Sequence, residues 1–268
     1  MVRPPVMALL SYLEVAVGAA AFAYAGLTAY AWLWSDRAIF RPPPATYPDG
    51  PEILKVPAPD GVMLAARHLP HPGARFTLIY FHGNSEDLGR TEERLQELRD
   101  RLGVSVFAWD YRGYGRSGGR PDEPSTLRDA RTIMDYATRR LGVPPERIIL
   151  YGFSLGGGPA VDLAASRRCA GLILQSAFTS AFRVLTGRRL LPFDRFDNLA
   201  KIGRVSSPVL VIHGTADPVV PFRHGRRLYA AATGPKDCLW VEGAAHNDLL
   251  ATAGEDYWRA VGDFIGRL

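Results

Sequence analysis

The chain has 268 residues, of which 47% are hydrophobic and 22% charged, so its composition excludes collagen-like, coiled-coil and wholly disordered classes. The formal net charge of +5 comes from arginines scattered among acids, since only Lys55, Lys201 and Lys236 are lysines; this argues against a nucleic-acid partner and fits a modest attraction to anionic lipid. Cys169 and Cys238 lack metal-site spacing and are interpreted as buried thiols.

An uncharged segment near the N-terminus predicts a membrane anchor. Residues 15–34 read VAVGAAAFAYAGLTAYAWLW, and 20 residues are enough for a helix to cross a hydrocarbon core of about 30 Å. Trp32 and Trp34 lie at one end, where aromatic rings favour the headgroup level. A cleaved signal peptide is the alternative, because Ala23-Tyr24-Ala25 is typical of a cleavage site, but the apolar run continues past it.

We therefore expect a single-pass anchor over residues 1–35 and a membrane location. The positive charges that orient such a segment nearly cancel, since Arg3 and the α-amino group lie on one side and Arg37 and Arg41 on the other. Residues 36–50 are rich in proline and predict an extended, stiff linker.

The remainder, residues 51–268, predicts one α/β domain. A hairpin is expected from EILKV and VMLAARHL, joined at a Pro-Asp-Gly turn. After it, short apolar runs alternate with helical stretches, which indicates a mostly parallel sheet covered on both faces. The predicted strands are FTLIYF, VSVFAW, RIILY, GLILQ, PVLVIH and CLWVE, and the predicted helices are 88–102, 125–141, 155–167, 223–232 and 248–268.

The pattern Gly-x-Ser-x-Gly occurs twice, and only one copy has the flanks of an exposed nucleophile. Ser154 lies directly between the strand RIILY and a helical stretch, where Gly152 and Gly156 would let the strand and the helix approach closely. Ser117 is separated from its strand by YRGYG and from the next helix by prolines, so we assign it to a glycine-rich surface loop.

A serine hydroxyl needs a base to remove its proton, and the base needs an acid to orient it. Asp217 follows the strand PVLVIH, and His246 follows the strand CLWVE. The order Ser, Asp, His with each residue after its own strand predicts that Ser154, Asp217 and His246 meet at one edge of the sheet.

The negative charge that develops on an acyl oxygen needs two backbone amides. The amide of Leu155, next to the serine, is one candidate. The other is expected in the loop HGNSEDLG after FTLIYF, where we choose Asn84, with His82 supporting the turn.

Five segments in this order, YFHGNSEDLG, DYRGYGRSGG, YGFSLGGGPA, HGTADPVVP and AAHNDL, resemble the α/β-hydrolase superfamily over nearly the whole chain. More narrowly, the chain is similar to the membrane-anchored, serine-aminopeptidase-like abhydrolase group, which includes lipid hydrolases and protein depalmitoylases. The resemblance implies the α/β-hydrolase fold and a Ser-Asp-His triad. Ala245 stands before His246 where a glycine is frequent in that group.

Compared with relatives that enclose their substrates, the insertion over about residues 177–207 is short and predicts a small cap over an open site. Phe178, Phe182 and Leu185 could line an acyl groove or could pack the cap onto the sheet. The cap arginines could meet phosphate headgroups, although a solvated face is the simpler interpretation; they are Arg183, Arg188, Arg189 and Arg195.

The sequence thus predicts a serine hydrolase that cleaves carboxylic ester or thioester bonds of acyl or lipid substrates at a bilayer, without a metal or a cofactor. A serine aminopeptidase is a second possibility, and it would need an anionic pocket for the amine, for which the cap offers only Asp194 and Asp197. A catalytically silent binding protein on the same fold is a third.

Overall fold

The computed structural model describes residues 4–268, with side chains from residue 8 onward; Arg3, used above in the charge comparison, lies outside them. The strands are β1 (Leu54–Pro57), β2 (Met63–Leu69), β3 (Thr77–Phe81), β4 (Ser105–Trp109), β5 (Ile148–Phe153), β6 (Gly171–Gln175), β7 (Val209–Gly214) and β8 (Lys236–Val241). Within the described residues they form one sheet in the order β1-β2-β4-β3-β5-β6-β7-β8. The β1–β2 and β2–β4 pairs are antiparallel and the other pairs are parallel.

The helices are α1 (Pro4–Ile39), α2 (Glu92–Leu102), α3 (Glu123–Arg139), α4 (Gly157–Ser166), α5 (Ala181–Thr186), α6 (Asn198–Lys201), α7 (Arg223–Ala231), α8 (Leu249–Ala253) and α9 (Glu255–Gly266). Of these, α3, α4 and α7 cover one face of the sheet, and α2 and α9 cover the other.

The core has two layers because the central strands are apolar on both sides. All residues of β3, β4, β5 and β6 are buried. One layer packs β-sheet side chains against α3, α4 and α7, through residues such as Ile133, Val161 and Leu228. The other layer packs against α2 and α9, through Leu98 and Phe264. This confirms the predicted α/β-hydrolase architecture, since continuous apolar strands need cover on both faces.

Two sequence-based predictions differ from the structure, one on a helix boundary and one on the burial of a cysteine. The last helix, expected over 248–268, is divided into α8 and α9 at Gly254, whose φ of +53° is a left-handed conformation that favours glycine. Cys238 is exposed rather than buried, because it lies on β8 at the edge of the sheet.

The N-terminal helix is longer than the predicted anchor. It continues to Ile39, four residues past the expected end at residue 35. By length and composition it could cross a membrane within Ala8–Ile39, and no residue of its most apolar stretch of 18 residues is buried. The membrane anchor therefore stays a prediction that the helix permits.

Part of the proline-rich segment packs against the domain. Phe40 and Tyr47 are buried in the domain core. The Thr46 amide donates a hydrogen bond of 2.7 Å to Asp87 Oδ2. The extended linker stays a prediction, but these contacts hold part of the segment against the domain, because buried aromatic rings contribute strongly to packing.

Candidate active site

The tight turn after β5 presents Ser154. The φ of Ser154 is +51°, a left-handed conformation that a non-glycine residue adopts only where the surroundings enforce it. A Cβ atom on Gly152 would lie 2.7 Å from the carbonyl oxygen of Gly156, and one on Gly156 would lie 2.0 Å from that of Phe81. These contacts confirm that both positions need glycine for β5 and α4 to approach.

The structure brings the three predicted side chains into contact. His246 Nε2 lies 2.9 Å from Ser154 Oγ, and His246 Nδ1 lies 2.7 Å from Asp217 Oδ2. Ser154 follows β5, Asp217 follows β7 and His246 follows β8, so the parallel strands deliver all three to one edge of the sheet. The arrangement can pass a proton from a serine hydroxyl to an oriented imidazole.

Asp217 is held as a carboxylate. Its side chain is fully buried, and its Oδ1 accepts hydrogen bonds of 2.8 Å from the amides of Val219 and Val220. Burial alone would raise the pKa of Asp217, but the bond from His246 and these two amides outweigh it and hold the pKa below its usual value. One oxygen is therefore fixed by the backbone while the other orients His246.

A second histidine braces the Asp217 loop, and the sequence reasoning did not give it that role. His213 Nε2 donates to the carbonyl oxygen of Val220 at 2.7 Å and lies 3.5 Å from Asp217 Oδ2. Burial lowers the pKa of His213, so the ring is neutral and adds no charge beside Asp217. The available signal was its position at the end of β7, four residues before Asp217.

The two proposed oxyanion residues, Asn84 and Leu155, line one cavity of about 530 Å³ together with Ser154 and His246. The neighbouring Gly83 amide is already occupied, since it donates to Glu86 Oε2 at 2.7 Å. Asn84 and Leu155 therefore share the cavity with Ser154, and their role as oxyanion donors stays a prediction.

The side chain of Asn84 has a second role that the sequence did not reveal. Its Oδ1 accepts hydrogen bonds from the Arg41 amide at 3.0 Å and from the Tyr114 hydroxyl at 2.6 Å. Its Nδ2 donates to the carbonyl oxygen of Ile39 at 2.6 Å. Asn84 therefore ties the end of α1 to the loop that carries the candidate oxyanion amide.

His82 supports the turn before Asn84, as expected. Its Nδ1 donates to the Gly83 carbonyl oxygen at 2.7 Å, and the Tyr111 hydroxyl donates to the His82 carbonyl oxygen at 2.7 Å. Burial lowers the pKa of His82, which keeps the ring neutral.

Phe178 and Leu185 line the cavity, but Phe182 does not. On α5 the cavity side is formed by Ala181, Val184 and Leu185, which share one helix face. The ring of Phe182 instead packs edge-on against Phe193, with centroids 5.6 Å apart.

Ser117 has a structural place away from His246. It is buried rather than on a surface loop, because its Oγ accepts the Ala65 amide at 2.8 Å and donates to the Asp110 carbonyl oxygen at 2.7 Å. Both hydrogen-bonding functions of the hydroxyl are therefore used, and they join the loop to β2 and to the residue after β4.

Two cap arginines are buried in ion pairs, against the expectation of a solvated face. Arg183 lies 3.5 Å from Asp194 and 3.3 Å from Asp197. Arg195 contacts the end of α1, where its Nε donates to Ser35 Oγ at 2.9 Å.

Comparison with known proteins gives the same architecture. Residues 72–191 match the family model described as serine aminopeptidase, S33. Alpha/beta hydrolase domain-containing protein 17C of Xenopus laevis is 44% identical over 180 residues, covering 66% of this chain and 58% of that protein. Alpha/beta hydrolase domain-containing protein 17B of Homo sapiens is 42% identical over 180 residues, covering 66% of this chain and 62% of that protein. The chain thus spans less than two thirds of the length of either relative.

Solved structures share the fold at low sequence identity. An esterase of Pyrococcus furiosus, Pf2001, superposes with a TM-score of 0.70 at 19% identity, covering 85% of this chain and 98% of that one. A monoacylglycerol lipase of Paleococcus ferrophilus superposes with a TM-score of 0.60 at 24% identity, covering 75% of this chain and 97% of that one. The sheet topology is that of the α/β-hydrolase fold, and the matching family model and relatives support an abhydrolase-domain family.

Proposed function

We propose that this protein is a membrane-anchored serine hydrolase that cleaves carboxylic ester or thioester bonds of acyl or lipid substrates. The observation that carries the proposal is the continuous chain of hydrogen bonds from Ser154 through His246 to Asp217 at the wall of an open cavity. The apolar part of that wall, which includes Phe178, Val184 and Leu185, suits an acyl chain.

In the proposed reaction, Ser154 Oγ attacks the acyl carbon while His246 Nε2 takes the hydroxyl proton. The amides of Leu155 and Asn84 stabilise the oxyanion, and each such donor is typically worth about 3 kcal/mol in the transition state. Collapse of the tetrahedral intermediate breaks the bond to the leaving oxygen or sulfur, which receives the proton from His246. Water then enters, gives a proton to His246, and releases the acid from the acyl-enzyme.

The test is labelling by a fluorophosphonate probe, which reacts with an activated serine. We expect Ser154→Ala to abolish labelling and ester turnover. Ser117→Ala should still be labelled, although losing two buried hydrogen bonds should lower the free energy of unfolding by about 1–3 kcal/mol. Loss of labelling in folded Ser117→Ala with retention in Ser154→Ala would reverse the assignment.

A serine aminopeptidase is the second candidate, because the matching family model carries that description. It would need a free carboxylate for the substrate amine. Asp194 and Asp197 face Arg183, and Glu86 on the cavity wall lies 2.8 Å from Arg94, so these acids already have cationic partners. This pairing favours the esterase.

A hydrolysis screen separates the candidates. Short and long acyl esters, acyl thioesters and aminoacyl amides should be compared with Ser154→Ala as the control. The proposal expects turnover of esters or thioesters and little of the amides. Turnover of amides alone would favour the aminopeptidase, and no turnover of any substrate would favour a silent binding protein.

A further inference from the structure

The cap reaches back along the N-terminal helix. Residues 185–193, here called the cap loop, lie beside α1: the Tyr24 hydroxyl donates to the Leu190 carbonyl oxygen at 2.9 Å, and the rings of Trp32 and Phe193 meet edge-on at 5.0 Å. Tyr24 precedes Trp34 by ten residues, which corresponds to about 15 Å along a helix. The cap loop therefore runs beside the segment that is expected to enter a bilayer.

Four backbone carbonyls of the cap loop accept hydrogen bonds from side chains. The Leu190 carbonyl accepts the Tyr24 hydroxyl, and the Arg188 carbonyl accepts Thr186 Oγ1 at 2.6 Å. Arg189 donates to two more carbonyl oxygens. Its Nε donates to that of Leu191 at 3.2 Å, and its Nη2 donates to that of Pro192. A loop in water can leave carbonyls to solvent, but a loop among lipids must satisfy them internally.

The side chains of the cap loop combine exposed leucines with arginines that have no carboxylate partner in the described part of the chain. Leu185 is 90% exposed and Leu190 is 52% exposed. None of the ion pairs found among the described side chains involves Arg188 or Arg189, in contrast to the paired Arg183. Apolar side chains next to arginines that have no carboxylate partner suit the boundary of a bilayer, where long cationic side chains reach the phosphates from an apolar stem.

We propose that the cap loop is a second membrane-contacting element, inserted into the bilayer surface beside α1. Leu185 and Leu190 would lie among acyl chains, with Arg188 at the phosphate headgroups and Arg189 holding the carbonyls of the loop. The inference rests on the proposed membrane anchor and deepens it. Leu185 also lines the candidate active-site cavity, as does Ile39 at the end of α1, so a lipid substrate enters the cavity from the bilayer.

Depth-dependent fluorescence quenching tests this placement. In a full chain with both native cysteines replaced by serine, Leu190→Cys is labelled with an environment-sensitive nitrobenzoxadiazole dye. The protein is reconstituted into phosphatidylcholine and phosphatidylglycerol vesicles with spin-labelled lipid as quencher. Val17→Cys on the exposed surface of α1 is the matched membrane control, and Arg168→Cys, exposed before β6 at the opposite edge of the sheet, is the matched aqueous control.

We expect lipid quenching and a blue-shifted emission at positions 17 and 190, and neither at 168. Quenching at 17 without quenching at 190 would overturn the inference while leaving the anchor intact. A blue shift at 190 without lipid quenching would mean that protein covers the cap loop, which also overturns it. No quenching at 17 or 190 would remove the anchor and the inference together. The readout does not use turnover, so an inactive protein would overturn the proposed hydrolase alone.

Discussion

The two carboxylate oxygens of Asp217 have different hydrogen-bond partners. One oxygen accepts two backbone amides and the other accepts His246 Nδ1. In Asp217→Asn the side chain keeps its size but no longer favours the tautomer in which Nε2 can accept a proton. We expect kcat for a soluble ester to fall by about 10⁴-fold with the fold unchanged.

Asp248→Asn is the matched control, because Asp248 lies in the same loop and accepts the Ala245 amide at 2.7 Å without contacting the imidazole. Steady-state kinetics of both variants, with circular dichroism to confirm folding, make the comparison. If Asp217→Asn and Asp248→Asn had equal kcat, Asp217 would not be the orienting acid.

Asp110 is a buried carboxyl outside the proposed chemistry, and it predicts a pH dependence. It accepts hydrogen bonds from the Tyr47 hydroxyl and from the Leu88 amide, yet burial raises its pKa to about 7. In the unfolded chain its pKa is about 3.9, so between these values the folded state binds more protons. This group therefore stabilises the fold at low pH, and its contribution is lost as the pH rises to about 7.

We expect Asp110→Asn to remove a slope of up to about 1.4 kcal/mol per pH unit from the free energy of unfolding between pH 5 and 7. Urea unfolding of the detergent-solubilised chain at pH 5, 6, 7 and 8 measures it. Asp100→Asn is the control, since the pKa of this exposed acid is lowered by Arg99 and it titrates below the window. Parallel pH profiles for wild type and Asp110→Asn would contradict the expectation.

Single residues could be predicted where their chain position alone decides their place. Ser154, Asp217 and His246 each follow a strand, so a parallel sheet was enough to predict that they meet, although their catalytic roles remain proposals. The prediction that Phe182 lines the cavity was wrong, because the direction of its side chain depends on which face of the short helix α5 turns to the cavity. The bracing by His213 requires a contact that no local pattern encodes.

Among the elements, the turn between β5 and α4 depends most strictly on backbone space. A Cβ on Gly156 would lie 2.0 Å from the Phe81 carbonyl oxygen, so α4 would have to move away from β3. We expect Gly156→Ala to lower the free energy of unfolding by about 3 kcal/mol or more, as overpacking of a core does. Equilibrium denaturation with circular dichroism measures this loss.

Gly262 in α9 is the matched control, because a Cβ there would meet nothing within 4 Å. The same substitution should raise the free energy of unfolding by about 0.5–1 kcal/mol through helix propensity. Equal stability of Gly156→Ala and wild type would show that the turn can relax, against the close approach seen here.

The alternation of strands and helices could be predicted from apolar runs and periodicity, but two features could not. The break at Gly254 depends on a positive φ. A glycine within a helical pattern permits this angle, but its presence does not require the angle. The packing of residues 40–47 onto the domain depends on distant partners, such as Asp87 for Thr46. Proline content predicts stiffness of a segment and says nothing about what it contacts.

In the whole molecule, hydrogen bonds and ion pairs of Arg195 join α1 firmly to the domain. Arg195, from the cap, donates to Ser35 Oγ and to the Trp32 carbonyl oxygen, both at 2.9 Å. It also lies 3.6 Å from Asp36 on α1 and from Glu123 on α3. A helix held in this way would fix the orientation of the cavity relative to the bilayer, whereas a free spacer would let the domain rotate.

This joint can be tested by amide hydrogen exchange of the full chain in lipid nanodiscs. Arg195→Ala removes two charge-assisted hydrogen bonds and leaves Glu123 without that cation, a loss of about 3 kcal/mol. Local opening of residues 32–41 should then be favoured about 100-fold, since each 1.4 kcal/mol is a factor of ten, and their exchange should accelerate accordingly. Arg204→Ala, at an exposed arginine elsewhere in the cap, should leave this segment protected. Unchanged protection in Arg195→Ala would mean that the buried ring of Phe40 and the hydrogen bond from Asn84 to the Ile39 carbonyl oxygen hold α1 without the arginine.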